Sequence, residues 1–155
     1  MAEPARLNPA ARTILLDAAT EGYVSAVTIW EMAIKARMGK LRLKGGFREF
    51  ISEAIVSTGF DRLSIHHTHA ERTAELPLHH RDPFDRLLVA QAQVEGLSLL
   101  TADAQIFRYD VDLVWAGAGR APRRESSGLV SESRPRSESP KPAVAARRRP
   151  ARGSR

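Results

Sequence analysis

The chain has 155 residues, with 24 Lys+Arg against 18 Asp+Glu and no cysteine. That length suits one domain with or without a tail, and zero Cys excludes a disulfide framework, a thiolate zinc finger and a Cys nucleophile. No run of about 18 apolar residues exists to form a spanning helix, and residues 1–6 open without an apolar signal core, so a cytoplasmic location is expected.

The formal charge of +6 is unevenly spread. Residues 116–155 carry ten Arg and one Lys against three Glu, a balance of +8, which leaves residues 1–115 at −2. The high pI therefore belongs to the tail, and it gives no argument that the body binds nucleic acid. The tail is rich in Arg, Pro, Ser and Ala and lacks aromatic residues. Such a composition buries too little apolar area to offset the entropy of ordering, so disorder is expected over 116–155 and a folded domain over 1–115. A basic arm touching phosphates and an uninformative extension are both open for it.

In chain order, Asn8-Pro9 reads as an N-cap with Pro at the first helical position, opening a helix to about Thr20. Tyr23 to Val27 is a short β-rich run, and Thr28 opens a helix through Met38 that Gly39 ends. Phe47, Phe50, Ile51, Ala54 and Ile55 recur at helical spacing, and Gly59 stops that helix. Leu63 and Ile65 suggest a brief strand, followed by a helix from Thr68 to Leu76. Asp82-Pro83 starts another helix ending near Gly96. Leu97 to Leu100 is an apolar strand, Thr101 caps a brief turn, and Val111 to Trp115 is the last strand. Strands separated by helices predict an α/β fold with a parallel sheet flanked by helices. In such sheets, sites form beyond the carboxyl ends of the strands.

Three acids fall where that rule points: Glu31 after the Tyr23–Val27 strand, Asp103 after Leu97–Leu100, and Asp85 in the first turn of the helix opened by Asp82-Pro83. Gathered carboxylates repel unless a cation neutralises them, and Mg²⁺ or Mn²⁺ suits an oxygen-rich set. The matching chemistry is phosphodiester hydrolysis, in which the cation lowers the pKa of water and offsets phosphate charge. Each acid also has a structural reading. Thr28-x-x-Glu31 fits a capping box, Asp82-x-x-Asp85 fits a similar cap, and Thr101 with Asp103 fits a capped turn. The five histidines, His66, His67, His69, His79 and His80, show no Glu-x-x-His or His-x-x-x-His pattern, so a His-centred metal site is not expected. Trp30, Phe84 and Trp115 read as core, and Lys35, Arg37, Lys40, Arg42 and Lys44 as a solvated basic face able to guide a polyanion.

Several stretches are also familiar as a set. VSAVTIWEMAIK, from Val24, resembles the second-motif region of PIN-domain proteins of the VapC toxin type. HRDPFDRLLVAQA, from His80, resembles their third-motif region, and Leu100-Thr101-Ala102-Asp103 resembles the fourth. The likeness runs from about Arg6 to Trp115. It implies a PIN-like parallel sheet between helices and a Mg²⁺- or Mn²⁺-dependent endoribonuclease of a type II toxin–antitoxin system. It further implies an RNA substrate, restraint by a cognate antitoxin, and a homodimer. Carried over residue by residue, Glu31, Asp85 and Asp103 match the acidic metal positions, and Thr101 the hydroxyl beside the last acid; Asp82 is a secondary candidate.

One departure stands out. Family members begin with a central strand ending in an Asp, typically followed by Thr-His, and this chain starts just before the region that follows it. Leu15-Leu16-Asp17 cannot replace that motif: five residues separate Asp17 from Tyr23, whereas a parallel crossover needs about a dozen. The expectation is an N-terminally truncated member lacking the first carboxylate and the strand between Tyr23–Val27 and Leu97–Leu100. On that view the chain is inactive as written unless the first Asp is supplied or dispensable. The alternative is a non-catalytic PIN-fold remnant that binds an antitoxin or RNA.

Overall fold

The structure, a computed structural model, describes residues 7–123 and 142–143. The tail expected to be disordered lies largely outside them. Helix α1 spans Pro9–Leu16, with the Asn8 Oδ1 accepting from the Ala10 N–H at 2.9 Å and Pro9 at the first position, as the sequence predicts. It ends four residues short of Thr20. Asp17 is extended, and its carboxylate accepts from the Ala19 N–H at 2.9 Å, a local turn that competes with continued helix.

Strand β1 is Tyr23–Ser25 and helix α2 is Ala26–Arg37. The predicted strand to Val27 is cut short because the Ser25 hydroxyl accepts from the Val27 N–H at 3.0 Å and caps α2 there. This corrects the capping-box reading. Thr28 lies inside the helix with its buried hydroxyl unpartnered, and Glu31 sits in the second turn, paired to Lys35 at 2.8 Å. Lys35 is therefore not merely part of a solvated basic face.

Helix α3 is Phe47–Thr58, ended by Gly59 at φ 68°, and strand β2 is Asp61–Leu63 rather than a strand through Ile65. Helix α4 spans His67–Glu75, and α5 spans Pro83–Glu95 with Gly96 at φ 66° as its left-handed terminus. Strand β3 is Ser98–Thr101, followed by a 3-10 turn over Ala104–Arg108 and strand β4 at Leu113–Trp115, two residues later than predicted. A last strand, β5, is Pro142–Ala143.

Every described strand pairing is parallel. β1 pairs β2 with Val24 opposite Arg62, while β3 is flanked by β4 and β5, with Leu100 opposite Val114 and Leu99 opposite Ala143. All four β3 residues are buried, as a strand covered on both faces requires. Helix α5 is the centre of the core. Its Leu88, Val89, Ala90 and Ala92 pack with Val27, Leu76, Leu99, Ile106, Tyr109 and Val111. A smaller cluster joins Ala11 of α1 to Leu100. Trp30, expected in the core, is 54% exposed and meets Phe84 edge-on at 4.8 Å.

One buried amide locks α5 to the β1–β2 sheet. Gln91, 1% exposed, accepts from the Ser25 hydroxyl at 2.5 Å and donates to the Ser64 carbonyl at 2.9 Å. Gln91→Ala leaves the buried Ser25 hydroxyl and the Ser64 carbonyl without that partner and opens a small cavity. We expect a loss of about 2–3 kcal/mol in urea unfolding, seen as a lower midpoint at unchanged slope.

Candidate metal centre

Three segments meet at the carboxyl end of β3. The loop before α5 supplies His80, the first turn of α5 supplies Asp85, and the loop after β3 supplies Asp103. All are buried, Asp85 to 3% exposure. Asp82 serves as the N-cap of α5, its Oδ1 accepting from the Phe84 N–H at 2.9 Å, with Pro83 at the next position. That cap fixes the start of α5 and so places Asp85 near the positive end of the helix dipole.

Asp103 is held in a divided role. Its backbone N–H donates to the Thr101 hydroxyl at 3.0 Å, and its Oδ1 caps the 3-10 turn by accepting from the Gln105 N–H at 2.9 Å. The other oxygen, Oδ2, turns toward His80 at 3.3 Å. His80 Nε2 also reaches the Asp85 Oδ2 at 3.1 Å. The ring's second nitrogen, Nδ1, accepts from the Asp82 N–H at 3.0 Å, so the proton sits on Nε2 and points at the two acids. The His80 backbone N–H donates to the hydroxyl of the fully buried Tyr109 at 2.9 Å, which fixes the ring's base.

Among the described residues, the ligand atoms of His80, Asp85 and Asp103 lie within 4.8 Å of one another. Both acids are candidate ligands from the sequence alone, whereas His80 is set aside there with the other histidines for want of a ligand-spaced pattern. The signal of His80 is tertiary: the partners lie 5 and 23 residues along the chain, beyond any helical repeat. Glu31 is buried on α2 and is not part of this trio, and Thr101 acts on the Asp103 backbone. Of the other histidines, His69 is fully buried on α4 and bonds Glu95 at 2.7 Å, an architectural contact. Arg86 of the same motif supports the site from behind, donating at 3.4 Å to the Tyr109 hydroxyl that receives the His80 N–H. Its guanidinium donates to the carbonyls of Thr73, Leu76 and Pro77, closing the end of α4.

The donor chemistry fits a hard divalent cation. Two buried carboxylates held this close repel strongly without a positive partner. The Asp85 and Asp103 oxygens are the natural ligands. For His80 to ligate through Nε2, the proton must move to Nδ1, and the Asp82 N–H would lose its acceptor.

The chain matches the PIN domain family over residues 6–112, most of its length. It belongs to the PIN domain family. Neither the curated proteins nor the solved structures give a match. PIN domains are nuclease-type domains that generally act on RNA with divalent metal ions, and among the described residues His80, Asp85 and Asp103 form a cluster that could hold such an ion. Among the described residues no helix is long and apolar enough to cross a membrane.

Removing the shared donor should be costly. His80→Ala is expected to lower unfolding stability by about 2 kcal/mol, with part of the loss recovered in millimolar Mn²⁺. An unchanged urea midpoint would show that His80 does not bridge the acids.

Proposed function

We propose that this PIN domain is a Mg²⁺- or Mn²⁺-dependent endoribonuclease of the VapC toxin type. The observation that carries the reading is the meeting of Asp85 and Asp103, buried acids from separate segments, at the carboxyl edge of the sheet. The likeness of the Val24, His80 and Leu100 stretches to the toxin motifs supports the subtype.

In this reading Asp85 and Asp103 hold the cation, and Glu31 is the third acid of the site, its charge balanced by Lys35 at 2.8 Å. Thr101 orients Asp103 by accepting its backbone N–H. His80 keeps both carboxylates pointed inward through its Nε2 proton. When bound, the cation would supply Lewis-acid activation of water and charge neutralisation at the scissile phosphate. The basic residues that follow Glu31, Arg37 and Lys40 among them, would draw the polyanion toward the acids. A cognate antitoxin and a homodimer belong to the same proposal. The exposed apolar residues Trp30 and Ile34 of α2, with Met38 at its C-cap, support a protein partner on that face.

A second reading has one observation in its favour. Glu31 is engaged by Lys35 and lies outside the His80–Asp85–Asp103 trio, which suits a non-catalytic remnant that binds RNA or an antitoxin. Cleavage of a labelled single-stranded RNA decides between them. We expect turnover that needs Mg²⁺ or Mn²⁺ and falls at least about a hundredfold in Asp85→Asn and Asp103→Asn. RNA binding without turnover in the parent chain favours the remnant, and full activity in both variants defeats the site assignment.

A further inference from the structure

Strand β3 has two edges. On one, the Leu99 N–H donates to the Asp112 carbonyl and the Thr101 carbonyl accepts from the Ala116 N–H, each at 2.8 Å. Strand alternation turns the Ser98 carbonyl and the Leu100 N–H to the opposite edge, where they need another partner. β1 is paired with β2 on one side, and β5 lies between β3 and β1, hydrogen-bonded to β3 and packed beside β1. The position predicted to lack a strand is thus taken by residues from beyond the PIN match.

The register suits the residues. With Leu99 opposite Ala143 in a parallel ladder, the Ala143 N–H faces the Ser98 carbonyl and the Ala143 carbonyl faces the Leu100 N–H. Toward β3, Pro142 falls at the phase from which no N–H is required, at the first residue of the strand, where proline is tolerated. Residues 142–146 read PAVAA, an uncharged stretch in a tail that is otherwise mostly charged, Pro or Ser. The 26 residues between Trp115 and Pro142 exceed the length of about a dozen that a parallel return needs.

We propose that the tail is a strand donor: the segment at Pro142–Ala143 pairs with β3 in the slot beside β1 and packs the two sheets against each other. Its role would be positional. β1 leads into the helix that carries Glu31, and β3 leads into Thr101 and Asp103, so a strand placed between them sets how far apart these residues stand. The clasp does not depend on the chain cutting RNA.

Hydrogen exchange on the full chain tests it, read by NMR at single amides. Leu100 should be protected in the parent, and Ala143→Pro, which removes the donating N–H, should speed its exchange at least about tenfold. Pro142→Ala should leave Leu100 within about twofold, because that phase supplies no donor. The Leu99 amide, bonded to Asp112, reports that the domain stays folded in each variant. Leu100 exchange unchanged by Ala143→Pro overturns the proposal, as do equal effects of both substitutions. Protection that rises with protein concentration also overturns it, because the strand would then come from a second copy.

Discussion

Two carboxylates brought together in a buried site raise the energy of the fold unless something positive stands between them. Asp85 and Asp103 are in that position, and much of the surrounding architecture can be read as the means of holding them there. Among the described residues the Nε2 proton of His80 meets both oxygens, at 3.1 and 3.3 Å. A hydrogen-bond donor offsets part of the repulsion, and a divalent cation would offset more.

The support extends outward in layers. Asp82 caps α5 and its backbone N–H also fixes the His80 ring, so one residue sets both the helix start and the direction of the donor. Thr101 does the equivalent for Asp103 at the end of β3. Tyr109, buried in the main core, receives the His80 N–H and ties the site to apolar packing. On the other side Gln91 joins α5 to β1 and β2. A site placed on capped helix starts and strand ends, rather than on long loops, keeps its groups in register.

Much of this was legible in the chain because the signals were local. Asn8-Pro9 and Asp82-Pro83 announce their helices, Gly59 and Gly96 end theirs, and the apolar run at Leu97–Leu100 predicts a covered strand. Errors arose where two local signals competed. Ser25 and Thr28 are both able N-caps, and the earlier one won because its hydroxyl reaches the Val27 N–H; this moved Glu31 out of the first turn and into the pair with Lys35. His80 is discounted with the other histidines because its partners meet it only after folding, and Trp30 is misplaced because an apolar residue within a helical pattern need not face inward. The pairing of β3 with Pro142–Ala143 had no local signal at all, since a two-residue strand carries no periodicity.

Asp85 and Asp103 are proposed to hold a cation within this PIN domain, and Mn²⁺ binding followed by paramagnetic resonance tests that most directly. The prediction is saturable binding of Mn²⁺ by the full chain, lost when both residues are changed to Asn and competed by excess Mg²⁺. Equal Mn²⁺ binding by the parent and the double variant would contradict it.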